Sequence, residues 1–381
     1  MNETLNLTNI RKQLHQIPEV SGNEKLTSEY ISLLLEKFEN IDLVKQVGGY
    51  GILAKIFFTN DGPEVLFRAE LDALPIQEVN TFEYQSNHDG VSHKCGHDGH
   101  MTILISLIEH FQNLKNQKGT IYFLFQPAEE NGEGAKACLE YFKINNITFD
   151  YIFALHNIPN YSFGEVFVKS EEITPAVYSV KIKIEGRTAH AAEPENGINP
   201  SKSIQKIISF FDKMNIPNQE DLNFLICTPI HINMGEIAYG ISAGYGEVHY
   251  TLRSWKNKVL NNSKQRIEEY LTKLSKEEEI KITIEYLEEF RANQNNIECV
   301  NLIEEACYKD KIKFNKLVKP FKWGEDFGIL TENYKGALFG LGAGENIPSL
   351  HNPDYDYPDE LTPIGRNLFY YIWLSIQEKY K

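Results

Sequence analysis

Six side chains able to hold a transition-metal ion stand in four short stretches of this chain. Cys95 and His97 lie in HKCGHDGH, Glu129 and Glu130 close QPAEE, His156 lies in ALHN, and His351 lies in LHNPDYDYPDE. Neutral imidazole, thiolate and carboxylate are the protein groups that bind such ions. In HKCGHDGH, His93, Cys95, His97, Asp98 and His100 fall within eight positions, and Gly96 and Gly99 give the backbone freedom to bend. If the chain is extended there, Cys95 and His97 point the same way as ligands, and Asp98 turns away to orient a ligand from behind. A single histidine is often just hydrogen-bonded and a single cysteine is most often packing, so it is the clustering that points to a hydrolytic metal centre.

The pair Glu129 and Glu130 follows the apolar run 121–125, which reads as a buried strand that Pro127 ends. Carboxylates just beyond such a strand sit where a sheet opens into a crevice. Two adjacent glutamates repel unless a cation or a shared proton relieves them. One of the two can ligate metal while the other takes the proton of a water molecule as general base. The pair also suits an acidic helix start, with NGEGAKACLEYF as the helix.

These segments need elements to position them. After an opening helix that ends near the QIPEVSG turn, residues 27–38 carry Tyr30, Leu33, Leu34 and Phe38 at helical spacing. Apolar strands are expected at 51–58, 65–68, 121–125 and 151–155, with a helix at 101–114. Alternation of strand and helix predicts an α/β fold, a doubly wound, mostly parallel sheet with helices on both faces. Near Thr174 the pattern changes, because 177–184 alternates apolar and polar with period two, the mark of a sheet with one wet face. A helix at 200–214, strands at 223–234 and 246–254, a charged helix at 258–276 and the strand IKITIEYLEEF complete a ferredoxin-like α+β unit. The expected division is a catalytic domain over 1–173, an inserted domain over 174–290, and a return to the first domain over 291–381.

At 381 residues the chain is long enough for two domains, and its 42% hydrophobic and 24% charged content fits a globular protein. A formal net charge of -15 argues against nucleic acid and anionic membranes as partners. The five cysteines, 95, 138, 227, 299 and 307, form no paired framework and are expected to be free thiols in a reducing compartment. MNETLNLTNIRKQLHQIPEVSG does not read as an export signal, and no apolar run approaches the roughly 20 residues that cross a bilayer, so the expected location is cytoplasmic. A soft thiolate favours zinc, with manganese, cobalt or nickel possible.

FRAELDALPI, HKCGHDGH, QPAEENGEGA, ALHN, GRTAHAAEPENGINP and LHNPDYDYPDE, in that order, resemble the amidohydrolase branch of the aminoacylase and zinc-carboxypeptidase family, which includes hippurate hydrolases and auxin-conjugate hydrolases. The resemblance implies a two-metal site in a zinc-exopeptidase-like α/β domain, with the inserted unit as lid and homodimer interface. Residue by residue it implies Cys95, His97, Glu130, His156 and His351 as ligands and Glu129 as general base. It places Glu70 and Asp72 behind the ligands, with Glu70 where relatives usually carry aspartate. Gly240 and Ala243 stand where relatives commonly show asparagine and proline. Near them, His231 and His249 are either substitutes for that polar contact or exposed strand residues. By the same resemblance His190 reaches the active site of a second copy and donates a hydrogen bond to the oxyanion. Five ligands are few for two tetrahedral ions unless one bridges, so one or two divalent ions per subunit are expected. The implied reaction splits an N-acyl amino acid into a carboxylic acid and a free amino acid. A dipeptidase or carboxypeptidase of the same architecture is the neighbouring alternative. A noncatalytic metal-binding or scaffold protein is the third, and it has no use for Glu129 as a base.

Overall fold

The computed structural model describes residues 5–112 and 114–380. The first four residues of the stretch read for an export signal, Asn113 in the expected helix 101–114, and Lys381 lie outside it. Contacts divide the chain into two compact units, one of Met1–Ile173, Asn293–Phe321 and Glu325–Lys381, the other of Thr174–Ala292 with Lys322–Gly324.

The first unit opens with α1 (Leu7–Gln16), α2 (Lys25–Leu35), β1 (Asp42–Val47), β2 (Gly51–Phe57), β3 (Glu64–Glu70), α3 (His97–Phe111), β4 (Thr120–Gln126), α4 (Gly134–Ile144), β5 (Tyr151–Pro159), β6 (Val166–Val168) and β7 (Glu171–Glu172). The second unit contributes β8 (Ala176–Glu185), β9 (Ala189–His190), α5 (Ser201–Met214), β10 (Ile226–Met234), β11 (Ile241–Ser242), β12 (Tyr245–Ser254), α6 (Asn257–Glu277) and β13 (Lys281–Phe290). The chain then returns through β14 (Gln294–Asn295), α7 (Ile297–Lys309), β15 (Phe314–Lys316), α8 (Gly328–Thr331), β16 (Gly336–Gly344) and α9 (Leu361–Gln377).

In the first unit an eight-stranded sheet runs in the order β1-β2-β4-β3-β5-β16-β6-β15. Its centre is parallel, with β4, β3, β5 and β16 side by side, and the antiparallel pairings lie outside these four. The run TIYFLFQ of β4 is almost entirely buried, as a strand covered on both faces must be. Helices α1, α3, α9 and α7 pack on one another in that sequence, whereas α4 packs on α8 and, like α2, against β1. This is the doubly wound arrangement, and it lines up the carboxyl ends of β4, β3 and β5, where Glu70 is in register with Gln126.

Local details differ from the sequence expectation. Helix α2 ends at Leu35, and its buried stripe is Thr27, Ile31, Leu34 and Leu35, while Leu33 is 63% exposed. With 3.6 residues per turn, a stripe set by Ile31 and Leu35 leaves Leu33 about 200° from each, on the opposite side. Strand β5 runs on through His156, which lies within the strand and not beyond its end.

The second unit is a four-stranded antiparallel sheet in the order β10-β12-β8-β13, the ferredoxin-like order. From Tyr178 onward β8 alternates buried and half-buried residues, and its apolar face is covered by Ile207 and Phe211 of α5 and Ile267 and Leu271 of α6. Strand β10 is an edge, and its residues from Thr228 onward are exposed.

Candidate metal centre

Gly96 shapes the segment that carries the first two ligand candidates. It caps α3 at φ +92, in the left-handed region, and a Cβ there would lie 2.5 Å from the side-chain oxygen of Asn157. His97 is consequently the first residue of α3, and the segment is not extended as the two-residue spacing suggested. Cys95 and His97 still converge, because the left-handed turn reverses the chain between them. Asp98, in the first turn of the helix, does point away. It accepts from His15 Nδ1 at 2.8 Å and Arg11 Nη1 at 3.4 Å, and its charge suits a helix N-terminus.

Asp72 follows β3 and holds two segments together. Its backbone oxygen accepts from His97 Nδ1 at 2.8 Å, which leaves Nε2 of that ring as the outward-facing nitrogen. Its carboxylate oxygen Oδ2 accepts from Ser21 Oγ at 2.7 Å and from the backbone N–H of Glu130 at 2.9 Å. Glu129 and Glu130 lie in the turn between β4 and α4, not in the first turn of that helix, which begins at Gly134.

His97 Nε2 stands 4.0 Å from Glu129 Oε2 and 3.9 Å from Glu130 Oε1. Cys95 Sγ stands 3.4 Å from His156 Nε2, and Glu130 Oε2 stands 3.8 Å from His351 Nε2. Ligand atoms of Cys95, His97 and His156 lie within 4.8 Å of one another, as do those of Cys95, Glu130 and His351. Cys95 is common to both groups, and His97, Glu129 and Glu130 form a third of the same size. His351 adopts φ +66, and its N–H donates to Lys94 O at 2.8 Å.

The donor set fits a cation. His97 Nε2 and Glu130 Oε1 are buried with no hydrogen-bond partner among the described residues. Buried polar atoms without partners are costly, and an ion between them removes the cost from nitrogen and oxygen together. The electrostatics agree. Burial raises the Glu129 carboxyl well above the usual range, and Glu325, Glu130 and Asp326 push it the same way. Burial likewise lifts Glu130, to about 7 against the pull of His97. The Cys95 thiol is pushed up by burial and then by Glu130 and Glu129. His97 is opposed by burial, yet Glu70, Asp72 and Glu130 outweigh it and hold the ring at about 10. A site of this kind gathers negative charge for a cation to neutralise.

Glu70, expected behind the ligands, is fully buried, and it has an oxygen within 4.8 Å of ring nitrogens of His97 and His100. Its Oε2 accepts from His100 Nδ1 at 2.8 Å, and its Oε1 is bound by Arg68 Nη1. Burial opposes its charge, but Arg68, His100 and His97 hold its carboxyl well below the usual range.

A profile of peptidase family M20/M25/M40 matches residues 66–375. The chain belongs to this family. It is 31% identical over 368 residues to N-acetyl-L-cysteine deacetylase of Bacillus subtilis (strain 168), covering 96% of this chain and 86% of the relative. It is 28% identical over 372 residues to hippurate hydrolase of Campylobacter jejuni, covering 97% and 95%. Among solved structures, a Bacillus subtilis protein described as a dinuclear metal binding peptidase of the M20 family superposes with a TM-score of 0.81 at 25% identity, covering 98% of this chain and 97% of that one.

Within this M20/M25/M40 chain, sequence reasoning passed over four site residues. Arg68, fully buried, donates through Nη2 to Glu325 Oε1 at 2.9 Å and Asp326 Oδ1 at 2.8 Å. Glu129, Glu325 and Asp326 have oxygens within 4.8 Å of one another. The available signal was the acidic pair inside the otherwise apolar WGEDFGIL. His100 was noted only as part of its cluster, yet it links Glu70 to the backbone N–H of Asn157. In the second unit His190 is exposed on the short strand β9, opposite Ile241, and its Nδ1 accepts from Ala192 N–H at 3.1 Å. His231 and His249 are cross-strand partners with ring centroids 5.1 Å apart, and His249 Nε2 lies 3.0 Å from Glu247 Oε2.

Proposed function

We propose that this protein is a metal-dependent amidohydrolase that cleaves N-acyl amino acids to a carboxylic acid and a free amino acid. The observation that carries this is the placement of Glu129 beside two ligand groups that share Cys95. Cys95, His97 and His156 would hold one divalent ion, and Cys95, Glu130 and His351 would hold a second; the softness of the thiolate favours zinc. Ions bound there supply polarisation of the substrate carbonyl and lower the pKa of a water ligand from about 15.7 toward roughly 7.

The chain's own residues do the rest. Glu129 takes the proton of the attacking water on a carboxylate oxygen and holds it in a buried site. It then passes that proton to the leaving amine nitrogen, so one carboxylate serves as base and then acid. Asp72 keeps the His97 tautomer in place and fixes the backbone at Glu130. Asp98 and Glu70 orient the helix start and His100 from behind.

The unit Thr174–Ala292 is assigned the role of lid and homodimer interface, with His190 as oxyanion donor toward a second copy. The exposed edge strand β10, which shows Ile230 and Ile232 to solvent, supports that assignment. No helix among the described residues is long and apolar enough to cross a membrane. Five free, buried cysteines support a reducing, cytoplasmic setting.

The test is hydrolysis of a panel of N-acetyl, N-benzoyl and indoleacetyl amino acids, with dipeptides alongside, by metal-supplemented and chelator-treated protein. Metal-dependent release of amino acid from the acylated compounds is expected. Glu129→Gln should keep its metal and lose about 10²- to 10⁴-fold in kcat. Activity confined to dipeptides would move the assignment to a peptidase, and a Glu129→Gln variant with most of its turnover would leave the mechanism without its base.

A further inference from the structure

Glu24 is fully buried and belongs to none of the ligand groups. Its Oε1 accepts the backbone N–H groups of Gly22 and Ala128, each at 2.8 Å. Its Oε2 is enclosed with no hydrogen-bond partner among the described residues. Glu24 stands at the start of α2, yet its side chain makes no capping hydrogen bond to that helix, so capping does not offset the cost of burying a half-paired carboxylate. Its value must lie in what Oε1 holds.

Ala128 immediately precedes Glu129 and stands at φ +51, in the left-handed region, where a non-glycine residue costs on the order of 1 kcal/mol or more. Such a residue persists only when its surroundings over-determine it. Here the Ala128 carbonyl accepts Gly134 N–H at 2.9 Å, and a Cβ on Gly134 would sit 1.6 Å from Pro127 O, so the turn closes tightly. On the far side of Glu129, the N–H of Glu130 is held by Asp72. The two peptide N–H groups that bracket the pair Ala128–Glu129 are therefore each held by a buried carboxylate from elsewhere in the chain. Asp72 also holds a ligand candidate, whereas Glu24 touches none and holds, beside the neighbouring N–H of Gly22, the turn at Ala128.

We infer that Glu24 is a positioning residue for the general base: it locks the left-handed turn at Ala128 and thereby aims the Glu129 carboxyl at the ligand groups. This rests on Glu129 being the base. Without the acceptor, Ala128 N–H is buried and unpaired, and the turn relaxes toward an ordinary φ. That rotates the next peptide and displaces Glu129, and a shift near 1 Å costs about 10²-fold in rate. Glu130, pinned separately by Asp72, keeps its place.

Glu24→Gln keeps a carbonyl oxygen at the Oε1 position, whereas Glu24→Ala removes it. In the metal-loaded enzyme, Glu24→Ala is expected to lower kcat by about 30- to 100-fold, with KM within about twofold and metal content unchanged. Glu24→Gln is expected to retain at least about a third of the parental kcat. Hydrogen exchange in the segment 127–134 should accelerate in Glu24→Ala and not in Glu24→Gln. Parental kcat in Glu24→Ala, equal losses in both variants, a loss of metal that tracks the loss of rate, or unchanged exchange would each overturn the inference. If Glu24→Ala does not fold, Glu24→Asp, which withdraws the acceptor by one methylene, takes its place with the same expected results. A parent enzyme silent on the whole panel would sink the functional proposal, and the exchange comparison would still decide whether Glu24 holds the turn.

Discussion

Cys95 is the residue on which the two ligand groups depend. It alone belongs to both, and its sulfur is the one soft donor among the candidates. Replacing it by alanine should therefore strip both ions, whereas His156→Ala and His351→Ala should each lower the ion content by about half. Elemental analysis after gel filtration reads this directly, and equal losses in all three variants would remove the shared position of Cys95. His15 makes a second residue-scale prediction. Burial opposes its charge, but hydrogen bonds to Asp98 and Glu78 outweigh it and raise the ring to about 9. The folded state thus holds this proton more tightly than the unfolded chain, whose imidazole titrates near 6.5, so the stabilisation is complete below about pH 6.5 and lost as pH rises through about 9. Glu78 has the opposite sign: burial opposes its charge, but His15 and Lys94 hold it at about 2, so its contribution is complete above the ordinary carboxylate range and fades as pH falls toward 2. Between pH 6.5 and 9 the melting temperature of the parent should fall more steeply than that of His15→Gln. Parallel curves would show that the ring carries no such linkage.

At the scale of elements, the segment that brings His351 to the site is tied to the rest of the first unit at several points, among them Arg11 and Tyr84 on Asp356 and Asn157 on Tyr355. Lys94 supplies two more. Its buried ammonium donates to Tyr355 O at 2.8 Å and to the carboxylate of Glu78, and its carbonyl accepts His351 N–H at 2.8 Å. Lys94→Met keeps the stem packed and removes the charge-assisted bonds, which should destabilise the metal-loaded protein by roughly 2 kcal/mol in urea unfolding. It should also weaken the ion held with His351 more than the other. The extended conformation expected for HKCGHDGH shows why element boundaries mislead. Two-residue spacing suits a strand, but whether a glycine adopts φ +92 and starts a helix at once depends on Asn157, a residue of another strand, which leaves no room for a side chain at Gly96. Leu33 makes the same point, because apolar spacing within α2 does not say which side of the helix the sheet will cover.

At the scale of the whole molecule, homodimerisation through β10 would bury Ile230 and Ile232 and complete the site with His190. Ile232→Glu should then sediment as a monomer, retain its ions, and lose most of its turnover. A dimeric variant, or a monomer with full activity, would take His190 out of the mechanism. The amino-acid sequence by itself determined the donor chemistry at Cys95, His97, Glu129, Glu130, His156 and His351, the change from strand-helix alternation to period-two alternation near Thr174, and membership of the M20/M25/M40 family. These are properties of residue type, order and short-range periodicity. Tertiary structure alone decided that Cys95 meets His156 across 61 positions, that Arg68 is clamped by Asp326 across 258, and that Glu24 reaches the turn before Glu129 across 104. Such pairings are set by which strands lie side by side and where their ends fall, and no local pattern encodes the distance between two side chains that only the folded sheet brings together.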